Sequence, residues 1–265
     1  MERTEFLSED EKNFLNKGYI IKNIHEKDKL NEISTIFYET SIKIIDSDLG
    51  FKNPQDFFNS IHLKFSYEKL NEFRVNLINK INQENKVKNN LYELSKFFLD
   101  ELVGNELAVQ RRINLSIQFP KDDTSLLPVH ADTWSGDSPF EIVTWLPLVN
   151  CHKTKSMYLL PPKHTKNLLK NFDKFVDKSA DYIFEKISKD LDWIDINYGQ
   201  IMLFNQSLPH GNIVNKEKET RWSLNCRFKS LFSPYGDKKL GEFFEPISTK
   251  IMTKIGMNYS YPFSK

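Results

Sequence analysis

Cysteine is nearly absent: Cys151 and Cys226 are the only two in 265 residues, too few for a disulfide framework. Long apolar runs are missing as well, since none approaches the ~20 residues that cross a bilayer. The opening Met1-Glu2-Arg3-Thr4-Glu5 has neither the basic nor the apolar part of a secretory leader. The expectation is a cytoplasmic chain without a membrane partner. An excess of charge is the third absence, because 37 lysines and arginines stand against 36 aspartates and glutamates and leave a net +1. Nucleic acid needs clustered cations to displace its counterions, so it is not an expected partner. Even the lysine-rich stretch from Lys170 to Lys178 interleaves Asp173 and Asp177, as a solvated helix face does. Repeats and low-complexity segments are absent too.

What is present divides into three parts. Up to about residue 108 the chain reads mainly as helices around one early strand, Gly18 to Ile24. Glu26 to Asp46 and Lys69 to Leu102 carry apolar residues at helical spacing, as in Leu70, Phe73, Leu77 and Ile81. Residues 109–232 read mainly as strands, interrupted by a charged helical insert at about 165–189. The remainder, 233–265, is aromatic, with Phe243, Phe244, Tyr259, Tyr261 and Phe263. Such a tail packs on its own core or on a partner chain, which leaves a homodimer open. The length suits one domain spanning 1–265.

The chemistry concentrates in two groups of side chains. His130 and Asp132 are two apart in Pro128-Val129-His130-Ala131-Asp132-Thr133-Trp134, and alternate residues of a strand project to the same side. Both can then aim at one ion. His210 follows a turn and a short apolar run, Tyr198 to Phe204, at the end of a plausible neighbouring strand. Two histidines and one carboxylate suit a divalent iron that keeps three positions open. Next comes a strand with two distinct faces: Arg221, Ser223, Asn225 and Arg227 on one, Trp222, Leu224, Cys226 and Phe228 on the other. Arginine offers a planar fork to a carboxylate, and a serine two residues on adds a hydroxyl, so Arg221 and Ser223 form a candidate clamp. Arg227, on the same face, competes for that role.

These residues resemble those of the iron(II) and 2-oxoglutarate-dependent dioxygenases, and within them the phytanoyl-CoA dioxygenase-like group. His130, Asp132 and His210 match the metal motif, and Arg221 with Ser223 match the arginine-x-serine co-substrate motif. Gly18 to Ile24, Trp145-Leu146-Pro147-Leu148 and Ser156 to His164 resemble further strands of that group, although Pro162-Lys163 stands where glycine and serine are common. The resemblance implies an α+β fold, a double-stranded β-helix (a cupin-like jelly roll) flanked by N-terminal helices. It also implies Fe(II), 2-oxoglutarate and O2, with hydroxylation of a small-molecule substrate. A carboxylate at 132, where glycine or alanine would open a halide position, favours oxidation over halogenation. In such a fold the polar side of Val109 to Phe119 faces either the cavity or solvent. In the first case Asn114 and Gln118 join the co-substrate site. Arg112, Arg227 and Trp134 are then candidates for binding the prime substrate. The segment from His130 to Ser138 is similar to relatives found with bacterial carbohydrate biosynthesis, which points to a sugar or sugar-nucleotide of surface polysaccharide.

His25, His62, His152 and His164 lie in polar or turn surroundings and read as ordinary surface histidines. Other functional readings compete. A lipid-acyl substrate is the alternative inside the enzyme class. Outside it stands a metal-free jelly roll that binds carbohydrate or acts as a scaffold. A hydrolytic zinc site accepts the same three ligands but gives Arg221 and Ser223 no task.

Overall fold

The computed structural model describes residues 7–47 and 49–262, so the opening Met1 to Glu5 and the tail residue Phe263 lie outside the described residues. Helix α1 (Glu9–Lys17) begins at a reciprocal cap. The Glu11 N–H donates to Ser8 Oγ and the Ser8 N–H donates to the Glu11 carboxylate, so two orphan donors are met. Gly18 ends the helix at φ 81°, and a Cβ there would fall 2.0 Å from the Leu208 side chain. Both the backbone and the available space require glycine. The turn delivers the chain into β1 (Tyr19–Asn23), after which come α2 (Lys27–Ile45), α3 (Pro54–Ser60), α4 (Leu70–Ile81) and α5 (Lys86–Leu102).

The stretch expected to be helical from Lys69 to Leu102 divides at Asn82–Asn85, and one side chain explains two breaks. Asn82 Nδ2 donates to the Ile113 carbonyl at 3.1 Å, and its Oδ1 accepts from the Ile113 N–H at 2.9 Å. Ile113 lies between β2 (Leu107–Gln110) and β3 (Asn114–Gln118), where the expected continuous strand is interrupted. A buried backbone that leaves its ladder must find other partners, and Asn82 supplies both.

The rest of the chain runs β4 (Glu141–Pro147), β5 (Tyr158–Leu159), α6 (Pro162–Lys170), α7 (Ala180–Ile187), β6 (Asp192–Trp193), β7 (Gln200–Asn205), β8 (His210–Gly211), β9 (Arg221–Ser230), β10 (Phe244–Ser248) and α8 (Ile251–Met257). The strands form two antiparallel sheets. One has the order β1-β7-β4-β9-β2-β10, with β3 lying beside the first half of β9, and the other is β6-β5-β8. Helices and antiparallel sheet are thus combined in one architecture.

Strand β9 sets the orientation of the site. Trp222, Leu224, Cys226 and Phe228 are buried against the helices: Trp222 meets Phe57 and Phe58 of α3 and Phe73 of α4, and Phe228 meets Tyr92 of α5. Burying each large apolar side chain stabilises by about 1.5–3 kcal/mol, and a one-residue slip would reverse every one of them. The opposite face, with Arg221, Ser223, Asn225 and Arg227, is therefore fixed toward a cavity. The insert, α6 and α7, covers the small sheet by packing Leu168, Ile183 and Ile187 on Val129, Tyr158 and Leu160. In the C-terminal part Phe244 packs with Ala108 and Leu231, whereas α8 buries none of its residues. Among the described residues no helix is long and apolar enough to cross a membrane.

Candidate metal centre

His130 and His210 meet through the backbone. The His130 N–H donates to the His210 carbonyl at 3.0 Å and the His210 N–H donates to the His130 carbonyl at 2.8 Å, an isolated antiparallel bridge. Each imidazole is also tethered two residues back: His130 Nδ1 lies 2.8 Å from the Pro128 carbonyl, and His210 Nδ1 lies 2.8 Å from the Leu208 carbonyl. A carbonyl can only accept, so both Nδ1 atoms carry the proton and both Nε2 atoms present lone pairs. Tethering of this kind is how metal-binding histidines are oriented.

Asp132 completes the set in a way that corrects the strand expectation. The chain is extended only through Ala131 (φ −119°, ψ 137°), and Asp132 opens a 3-10 turn, Asp132–Ser135, with its N–H on the Gln206 carbonyl. One extended residue suffices to put residues 130 and 132 on the same side. The ligand atoms of His130, Asp132 and His210 all lie within 4.8 Å of one another. Among the described residues they are the only such group of histidine, cysteine or acid. His130 Nε2 and Asp132 Oδ1 are 3.4 Å apart, two lone-pair atoms that need a proton or a cation between them.

Electrostatics follows the geometry. Burial opposes charge on His130, but the Asp132 carboxylate and the Pro128 carbonyl outweigh it and raise its pKa. Burial likewise opposes charge on Asp132, but His130 and the Arg227 guanidinium outweigh it and hold the carboxyl well below the usual range. His210 is pushed down to about 4, first by burial and then by the charge of His130. The site therefore offers an anionic carboxylate and a neutral His210 at neutral pH, the protonation states a divalent cation requires.

A cavity of about 340 Å³ extends from these groups along β9. Arg221 lies in it, 3% exposed, donating through Nη1 to the Ser156 carbonyl at 3.1 Å and through Nη2 to Ser116 Oγ at 2.8 Å. Its Nε has no hydrogen-bond partner, and no carboxylate among the described residues lies within ion-pair distance. Burial pulls its pKa down to about 10, so the guanidinium is charged at neutral pH. A buried guanidinium with no carboxylate in contact is costly, even with the charge of Asp122 acting on it from further away, and here it faces open space.

The other sequence-predicted residues divide. Ser223, Asn114 and Arg227 line the cavity with Arg221. Gln118 does not: it is buried beside the cavity, its amide donating to the Ile213 carbonyl at 2.9 Å. Arg112 is exposed and donates to Asn79 Oδ1 at 2.6 Å, because the break at Ile113 turns it away from the polar row of β3. Trp134 is partly exposed and packs on Phe172 of the insert, ring centroids 5.1 Å apart, without lining the cavity. Ser116, Asn225 and Asn212 line it, and the first two belong to the polar faces recognised by alternation. Much of the remaining wall is apolar: Leu115, Val143, Trp145, Met157 and Phe204. The sequence marks Ser156 only as the start of a strand-like segment and not as a partner of Arg221, which its backbone oxygen holds. His62 meets Thr220 and His164 meets Asp190, and neither joins the triad.

No protein-family model and no curated protein sequence matches this chain. Solved structures do. A non-heme monooxygenase, ThoJ, in complex with nickel is 13% identical, with TM-score 0.51, covering 90% of this chain and 83% of its own. EctD from S. alaskensis with bound Fe is 14% identical, TM-score 0.52, over 89% of this chain and 80% of its own. HygX from Streptomyces hygroscopicus with nickel and 2-oxoglutarate bound is 12% identical, TM-score 0.51, over 91% and 90%. At such identities the likeness is one of fold.

Proposed function

We propose that the chain is an Fe(II)/2-oxoglutarate-dependent dioxygenase of the phytanoyl-CoA dioxygenase-like group, a single oxygenase domain built on a double-stranded β-helix. One observation carries the reading. Two Nε2 lone pairs and a carboxylate converge at one end of a cavity whose other end holds Arg221, charged, buried and without a carboxylate of its own. The same fold in HygX is accompanied by nickel and 2-oxoglutarate, and in EctD by iron.

His130, Asp132 and His210 would hold the ferrous ion. When bound, iron with 2-oxoglutarate and O2 supplies the oxidation: the keto acid loses CO2 to become succinate, and one oxygen atom enters a C–H bond of the substrate. The chain's own residues prepare this. Arg221 pairs with the distal carboxylate through its fork, and the Ser223 hydroxyl lies on the same face of β9. Asn114 contributes an amide that is already oriented, since its Nδ2 donates to Asn225 Oδ1 at 2.8 Å. Val143 and Phe204 form an apolar wall at the triad end, since Val143 pairs with Arg227 across the sheet and the Phe204 ring lies 5.1 Å from that of His210; excluding water there strengthens each polar contact. The prime substrate in this reading is a small polar metabolite such as a sugar or sugar-nucleotide, which Asn225 and Asn212 can address by hydrogen bonds.

Anaerobic titration with Fe(II) and then 2-oxoglutarate tests the proposal through the visible charge-transfer band of the chelate. Absence of the band in the intact protein would leave the metal-free binding protein as the better reading. Succinate release above the uncoupled background, measured with nucleotide-sugars and with acyl thioesters, then separates carbohydrate from lipid-acyl substrates.

A further inference from the structure

Arg227 is held from several sides beside the metal centre. Its Nη2 lies 2.7 Å from Asp132 Oδ2 and 3.7 Å from Asp137 Oδ2. Its Nε donates to Gln206 Oε1 at 2.8 Å, and its Nη1 reaches Gln110 Oε1 at 3.3 Å. These partners are themselves fixed. Gln206 donates to Glu141 Oε2 at 2.7 Å and to the Ser138 carbonyl at 3.2 Å, and Lys238 pairs with Asp137 at 2.7 Å. The segment carrying Lys238 is tied across the loop after Asp132: the Asp237 N–H donates to the Gly136 carbonyl at 2.9 Å, and Ser138 Oγ donates to the Pro234 carbonyl at 2.6 Å. An arginine so committed has little left to offer a substrate.

We infer that Arg227 is a positioning residue, which occupies one oxygen of Asp132 and leaves the other as a single ligand for the ion. The inference rests on the reading of the triad as a metal centre. The two carboxylate oxygens already differ: Oδ2 is taken by Arg227, and Oδ1 faces His130 Nε2 at 3.4 Å. The difference matters by counting. Two imidazoles and one carboxylate oxygen leave three of six positions, two for the keto acid and one for O2. A carboxylate that gave both oxygens would take one of these three positions and so compete with the keto acid for the ion. Arg227 also adds a cation near a site that must accept a dianion.

The test uses full-length R227M and R227K beside the unaltered protein. Fe(II) affinity is read by competition with a chromogenic chelator, 2-oxoglutarate affinity by the anaerobic charge-transfer band, and folding by thermal melting. R227M should hold Fe(II) at least as tightly as the parent, since a neighbouring cation is gone, and bind 2-oxoglutarate roughly tenfold more weakly. R227K, which keeps the charge without the fork, should recover part of the 2-oxoglutarate affinity. If R227M does not fold, R227K alone still reports, because positioning weakens 2-oxoglutarate binding with Fe(II) affinity preserved. Parallel loss of both affinities and of melting temperature would make Arg227 a structural brace and overturn the inference, as would parental values throughout. No Fe(II) binding and no band in the parent would instead remove the metal-centre reading beneath it.

Discussion

His130 and His210 hold each other by two backbone hydrogen bonds, 3.0 and 2.8 Å long, and their imidazole centroids stand 4.4 Å apart. The pairing belongs to the main chain, so deleting one imidazole leaves the bridge in place. H210A should therefore stay folded while losing Fe(II) affinity by more than ~100-fold, since even disturbing the partners of a metal ligand costs ~10–100-fold. The band with 2-oxoglutarate should vanish as well. Chelator competition together with circular dichroism checks this, and iron binding at the parental level would exclude His210 as a ligand.

Arg221 makes a different demand, on the co-substrate alone. It makes no hydrogen bond to His130, Asp132 or His210; its guanidinium donates to the Ser156 carbonyl and to Ser116 Oγ. R221A should leave Fe(II) affinity unchanged and weaken 2-oxoglutarate by roughly 2–5 kcal/mol, the range for losing one partner of a buried charged pair. R221K should fall between, because a point charge replaces a fork. Equal weakening of metal and keto acid would mean that Arg221 supports the fold rather than the ligand.

The side chains of the site were more legible in the sequence than the backbone that carries them. Alternation along β9 separated Arg221, Ser223, Asn225 and Arg227 from Trp222, Leu224, Cys226 and Phe228, because a strand with one face on the apolar helical layer and the other on a polar cavity leaves a period of two. The spacing of His130 and Asp132 likewise announced a shared side, although only one extended residue lies between them. What failed depended on distant partners. Arg112 belongs to the same alternating run as Asn114, yet the two contacts of Asn82 with Ile113 break that run between them, and no local pattern signals those contacts; Gln118 stays in register with Asn114, but its amide is taken by the Ile213 carbonyl from a distant loop. The partners of Arg227 were hidden for the same reason: Gln110, Asp137 and Gln206 are scattered in sequence and meet only in the folded chain.

Gly211, next to His210, tests how tightly the two ligand-bearing segments must approach. A Cβ at this position would stand 2.6 Å from the Leu127 carbonyl oxygen and 2.6 Å from Tyr158 Oη. Neither neighbour yields easily, because the first is backbone and the second is a buried ring packed between Phe184 and Trp193. G211A should force the segment before His130 away from β8, lowering Fe(II) affinity by about tenfold and stability by about 1–3 kcal/mol. G256A is the control: nothing lies within 4 Å of its Cβ, and a helical alanine there should be neutral or slightly stabilising. A G211A protein indistinguishable from G256A would show that the close approach is not needed.

Phe57 tests whether the helical layer braces the strand behind the cavity. Its ring is fully buried and meets Tyr38, Phe51, Phe58 and Trp222, with centroids 5.3 to 5.8 Å away. Truncating such a phenylalanine costs about 3–5 kcal/mol, which for a chain of this size lowers the melting temperature by roughly 6–20 °C. The effect on binding should be selective. Trp222 lies between Arg221 and Ser223 on β9, whereas the triad comes from β8 and the segment at residues 130–132. Well below its melting point F57A should therefore keep its Fe(II) affinity and lose affinity for 2-oxoglutarate. A melting temperature within about 2 °C of the parent, less than 1 kcal/mol on the same scale, would mean that the aromatic cluster fills space without supporting β9.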